Sequence, residues 1–278
     1  MSAVRTLAAT PPAVTGPALK VTQGRVLRSE FTKFRSLRST LYTLLTAVVL
    51  MIGIGALFSA VTASQYHTFS AADKAGFNPV STSLTGTGFA VIAFGVLGVL
   101  LMSGEYGTGM IRSSLTAVPR RLPVLWGKLA VFAGTVFSVS LVASFISFYV
   151  GQALLSSHHL NVALNAPGAL RSVTGAALYV TVAGLTGVAL GALSRSTAAG
   201  ISIFTAVFFV IPPLTGLLPV SVRGHLAQYL PSNAGQALWG GTQGVQNPLS
   251  PWTGFALLCG YAAVLIAAAA WRLRRADA

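Results

Sequence analysis

Residues 104–128 read GEYGTGMIRSSLTAVPRRLPVLWGK. Glu105 is one of only four acidic residues in 278. Gly104, Gly107 and Gly109 allow tight backbone turns. Met110, Ile111 and Leu115 then set apolar side chains at helical spacing, Pro119 stops the helix, and Arg120 and Arg121 flank the stop. The chemistry that such a stretch offers is docking. A short helix that exposes apolar residues from a fixed frame can insert into a groove on a partner.

Other reactive residue types are sparse. The adjacent His158 and His159 allow a metal or pH-sensing role, but a solvated loop is the plainer reading. Cys259, the one cysteine, can make neither an internal disulfide nor a cysteine-rich metal site. The sequence contains no H-E-x-x-H, no G-x-S-x-G and no G-x-x-x-x-G-K-[ST]. The chain therefore reads as no enzyme, with no metal or cofactor of its own. Energy for any work must come from elsewhere.

The elements around these residues are set by where charge is missing. Ser39–Tyr66, Ala75–Gly104, Leu129–Ser157, Ser172–Ser194 and Ser196–Val222 hold no Asp, Glu, Lys, Arg or His, and a sixth apolar run is Trp252–Trp271. A helix needs about 20 apolar residues to cross the hydrocarbon core. Six spans follow: about Leu41–Thr62, Thr85–Ser103, Leu129–Gly151, Val173–Leu193, Ala198–Leu218 and Trp252–Trp271. The fold class is all-α integral membrane. Val61-Thr62-Ala63 resembles a signal-peptide cleavage site, yet the preceding region and the apolar stretch are both too long, so the first span reads as an uncleaved anchor.

The net charge of +14 follows the membrane rather than a nucleic acid. With both termini cytoplasmic, 15 of the 18 basic residues lie inside, leaving Lys74, Arg171 and Arg223 outside. That is the positive-inside bias. No basic platform interleaved with aromatics exists to bind nucleic acid.

Residues 1–20 read as a disordered cytoplasmic tail, 21–40 as an amphipathic interfacial helix and 41–278 as the six-span domain. Leu27, Phe31, Phe34, Leu37 and Leu41 make the apolar stripe of that helix; Arg25, Arg28, Lys33 and Arg35 mostly fall off it and either meet anionic lipid or serve as a plain basic flank that orients the first span. Gly184, Gly187 and Gly191 allow close helix packing in the fourth span. Pro212-Pro213 should kink or end the fifth. Between Pro219 and Pro251, two half-buried short helices broken at Pro231-Ser232 are expected, with Ser232 as a cap. No predicted span carries an ionisable interior residue. Glu105 falls just past the second span, and Lys128 marks the start of the third. This weighs against proton relays and ion-coupled carriers.

The 104–128 segment resembles that of permease subunits of ATP-binding cassette export systems of the second (ABC-2), non-interdigitated class. Glu105, Gly107-Thr108, Pro119-Arg120-Arg121 and Gly127-Lys128 match that family's loop in order and spacing. The stretch from Arg28 to Ser36, the Tyr229-Leu230-Pro231-Ser232 and Ala234-Gly235 pairings, and the Arg274–Ala278 ending resemble actinobacterial members. The similarity covers nearly the whole chain.

The resemblance implies roles. Tyr106–Leu115 (Tyr106, Gly107, Thr108, Gly109, Met110, Ile111, Arg112 and Leu115) would be the coupling helix on a separate ATPase subunit, with ATP and Mg bound there. The helix holding Arg28, Glu30, Phe31, Lys33, Phe34 and Arg35 would be the connecting element. The 219–251 segment would form outer re-entrant helices that gate the exit. Two motor subunits require a second permease copy, identical or not. For Glu105 alone, a helix-end charge or a salt bridge to Arg112 or Arg121 is the plain reading; the resemblance moves an inter-subunit or hinge role ahead. The rivals are a non-transporting scaffold or sensor partner, and a secondary carrier, which would need a midplane ion site. Substrate identity is not written in these residues.

Overall fold

A computed structural model describes residues 23–36, 38–107, 121–242 and 245–275. Among them there is no strand. Six helices are long and apolar enough to cross a membrane. They are α2 (Arg38–Gln65), α5 (Gly86–Gly107), α6 (Arg121–Ser156), α7 (Ala169–Ser194), α8 (Thr197–Leu217) and α11 (Pro251–Arg275). Short helices complete the chain: α1 (Gln23–Ser36) before the first span, α3 (Ala71–Gly76) and α4 (Pro79–Ser83) between the first two, and α9 (Val220–Leu226) and α10 (Pro231–Gln236) before the last.

Two spans form the centre. Buried residues make up 61% of the apolar window of α5 and 72% of that of α7, against 17–33% for the other four. Small residues explain this. A Cβ on Gly191 would stand 2.6 Å from the Val99 carbonyl oxygen, and one on Gly184 would stand 2.7 Å from the Phe132 ring. A Cβ on Gly187 would collide with the Gly95 carbonyl. The backbones of α5 and α7 therefore approach at separations that only glycine permits.

Several helix ends differ from the boundaries that charge alone implies. The second span runs on through Glu105 to Gly107, and the third begins at Arg121, about two turns before Lys128. The helices therefore carry Glu105 and Lys128 near their ends, where the two side chains meet inside the protein. At 36 residues, α6 is about 54 Å long at 1.5 Å per residue. That exceeds a hydrocarbon core of roughly 30 Å, so part of it projects beyond.

The connection between the first two spans is only partly a loop. Ser81, Thr82, Ser83 and Leu84 are buried. Ser81 and Thr82 hydroxyls donate to the Asn78 carbonyl, and Ser83 donates to that of Pro79. Gln152 on α6 then locks α4 in place, donating to the Pro79 carbonyl at 3.0 Å and to Ser83 Oγ at 2.7 Å. The polar residues of this segment are buried because their hydroxyls find partners within the protein.

In α8, Pro212 has no N–H, and its ring would meet the carbonyl four residues back. The helix answers with a π turn at Ala206–Val210 and resumes at Ile211–Leu214. α10 and the turn that follows it pack into the bundle, with Ala234 in the helix and Leu238 and Trp239 in the turn all buried. Its N-cap is Leu230, followed by Pro231, and it has no side-chain cap. Ser232 does not cap it: the residue lies inside the first turn, and its buried hydroxyl has no partner.

Candidate coupling site

At one end of the bundle, four charged side chains from three helices converge. Within α1, Glu30, Lys33 and Phe34 share a face at three- and four-residue spacing. Glu105 lies two residues from the end of α5, and Lys128 lies about two turns into α6. Lys128 Nζ donates to Glu30 Oε2 and to Glu105 Oε1, each at 2.6 Å. Lys33 Nζ donates to Glu30 Oε1 at 2.8 Å and stands 3.8 Å from Glu105 Oε1. The side chains of Lys128, Glu30 and Glu105 are only 1%, 5% and 11% exposed, while Lys33 is 36% exposed.

The electrostatics follow from that burial. The three deep charges sum to one negative charge, which Lys33 balances from the rim. Burial alone would push the Glu30 carboxyl up. The Lys128 charge and hydrogen bond, then those of Lys33, outweigh burial and hold it below the usual carboxylate range. Burial likewise disfavours the Lys33 ammonium, but its hydrogen bond and charge contact with Glu30, then Glu105, raise it above its ordinary value. Buried ion pairs contribute little net stability but cost several kcal/mol when one partner is removed. The cluster therefore fixes an arrangement of helices more than it strengthens the fold.

An aromatic contact repeats the arrangement one turn further on. Phe34 packs edge-to-face on Phe132 with centroids 6.4 Å apart. Gln23 donates to the Pro123 carbonyl at the other end. Contacts 23–123, 30–128 and 34–132 run in the same order along both helices, so α1 lies beside the start of α6 and points the same way.

The last turn of α5 is also held on its other side. The Arg195 guanidinium lies 5.4 Å from the Tyr106 ring centroid. Arg195 forms the turn between α7 and α8 with a left-handed backbone, φ 54°, which is uncommon without glycine. Ser103 and Thr197 share a hydrogen bond of 2.8 Å. Arg272 near the end of α11 donates to the Leu193 carbonyl. Sequence reasoning missed the Arg195–Tyr106 pairing; the very short charged turn was its only signal.

The nominated residues separate clearly. Glu30, Lys33, Glu105 and Lys128 are brought together, with Phe34 buried beside them. Among the described residues the ion-pair partner of Glu105 is Lys128, with Lys33 near; the expected partners Arg112 and Arg121 have side chains outside the described residues. Glu105 is a buried helical residue and not a loop residue, and Lys128 lies about two turns inside α6. Arg28, Phe31 and Arg35 are exposed. Tyr106 and Gly107 close α5. Thr108, Gly109, Met110, Ile111, Arg112, Leu115, Pro119 and Arg120 lie outside the described residues, as does the side chain of Arg121. Gly184, Gly187 and Gly191 face α5 and α6. Among the described residues no group of three or more His, Cys, Asp or Glu could hold a metal ion.

The sequence pattern of the ABC-2 family transporter proteins matches residues 26–212. That stretch runs from within α1 to the first proline of α8 and covers more than half of the chain. The chain belongs to the ABC-2 transporter family. It is a multi-pass membrane protein, the permease component of an ABC transporter. No curated protein matches it. In this ABC-2 permease the ionic cluster lies within the matched region, at the exit of the second span and the start of the third.

Proposed function

We propose that this ABC-2 permease is one half of an exporter in the cell membrane, driven by a separate ATP-binding cassette subunit that holds ATP and Mg. The motor docks on Tyr106–Leu115, with both termini on its cytoplasmic side. The observation that supports this reading best is Lys128 bridging Glu30 and Glu105. Any shift of the segment after α5 pulls on Glu105. Lys128 passes that shift to α6, and Glu30 passes it to α1, which leads directly into α2. Tyr106 and Arg195 transmit it to the turn between α7 and α8.

The glycine-packed pair α5–α7 gives these elements a stiff centre to move against. Helices α9 and α10 sit at the opposite end, suited to gate an exit. Helix α1 is the connecting element, and the six spans with their short linking helices form the permease domain. A second permease copy, identical or not, completes the unit, and lipid covers the remaining apolar faces; nucleic acid is not a partner.

Purification of the tagged chain in mild detergent is expected to recover an ATP-binding cassette ATPase. An intact chain that moves cargo with no ATPase present contradicts the reading.

A further inference from the structure

A groove of about 470 Å³ runs between α6 and α11. Ala263, Ile266, Ala267, Ala270, Trp271 and Arg274 line it from α11, and Trp126 faces them from α6. On α11 these residues recur at steps of one, three and four, forming one continuous stripe. From Ala263 to Arg274 the stripe spans about 16 Å at 1.5 Å per residue. That is roughly the depth of one leaflet of a 30 Å core. The mouth holds Arg274 with two tryptophans, both at least half exposed. Arg275 lies over the Trp271 ring, 4.4 Å from its centroid.

Charge decides the occupant. The salt bridges among the described residues engage only Lys33 and Lys128, with Glu30 and Glu105. The remaining described acid, Asp73, sits in α3, between the first two spans, where Ser70 holds it. No described carboxylate is therefore left to pair Arg274. Arginine favours phosphate through its planar fork of donors, and interfacial tryptophans flank headgroups.

We propose that this groove binds one anionic phospholipid. Its phosphate contacts Arg274 between the two tryptophans, and one acyl chain lies along Ala263, Ala267 and Ala270. The site requires neither the ATPase nor a transport cycle, so its failure leaves the coupling proposal untouched.

Native mass spectrometry of the detergent-purified full chain tests it, with dioleoylphosphatidylglycerol and dioleoylphosphatidylcholine titrated separately. One phosphatidylglycerol adduct is expected to be retained at activation energies that strip phosphatidylcholine. Arg274→Gln should weaken it about fivefold, the effect of one basic residue at an anionic headgroup. Ala267→Trp should abolish it by filling the groove, while Arg38→Gln, a basic residue elsewhere, should leave it in place. Equal retention of both lipids overturns the headgroup assignment. An adduct that survives Ala267→Trp overturns the placement. Variants that no longer fold are recognised by loss of the monodisperse peak; Ala263→Phe then serves as the milder groove-filling variant.

Discussion

Lys128 and Glu30 lie 98 positions apart in sequence, yet their charged atoms meet at 2.6 Å. The contact joins α1, which precedes every span, to the start of the third span. Because Lys128 also holds Glu105, one ammonium fixes the relative placement of three helices.

Removing that ammonium leaves Glu30 and Glu105 facing each other with half-exposed Lys33 as the remaining cation among the described residues. Lys128→Met is expected to lower stability by about 3–5 kcal/mol, the usual cost of breaking a buried pair. The double variant Lys128→Met with Glu30→Gln should lose less than the sum of the single losses, since their energies couple. Thermal unfolding of the purified chain in detergent measures both.

The pH response has a defined sign. Glu30 has a folded pKa below its ordinary 4.5. Its contribution is complete above that value and is lost as pH falls through the lower folded pKa. Lys33 has a folded pKa above 10.5. Its contribution is complete below that value and disappears as pH rises through the folded pKa. The contribution of this pair should therefore stay level between about pH 5 and 10 and fall on either side. Glu30→Gln should flatten the acid limb, as read by melting temperature against pH.

Gly191→Ala places a methyl 2.6 Å from the Val99 carbonyl oxygen, so α5 and α7 must separate. A loss of about 1–3 kcal/mol is expected from such overpacking. Gly134→Ala is the matched control: nothing lies within 4 Å of its Cβ, and helix propensity favours alanine. Denaturant titration should separate the two variants clearly.

Gln152 makes three contacts at once: it donates to the Pro79 carbonyl and to Ser83 Oγ, and accepts from the Val162 amide at 2.8 Å. Gln152→Leu leaves these groups unpaired at about 1–3 kcal/mol for each one that stays buried. Amide hydrogen exchange should accelerate at Val162 and in α4, with little change in α7.

The six spans were legible because uncharged runs of the right length are hard to produce otherwise. The ends of the helices were not, at Glu105 and Lys128. A charge normally closes an apolar run, and only long-range pairing lets a helix carry one inward. Glu30, Lys33, Glu105 and Lys128 all stood out in the sequence, but their shared contact did not, since nothing local links positions 30, 105 and 128. The stretch Ser81-Thr82-Ser83 fell outside the expected spans, yet it is helical and buried. Its hydroxyls satisfy backbone carbonyls three and four residues back, which lets a polar sequence sit buried.

The coupling account is tested most directly by following conformation and hydrolysis together. In a Cys259→Ser background with the ATPase bound, a spin label at Val222 on α9 of each permease copy reports the distance between the two copies. ATP with vanadate is expected to change that distance in the parent. In Lys128→Met the change should vanish while ATP hydrolysis continues. An undiminished distance change in Lys128→Met would contradict the account.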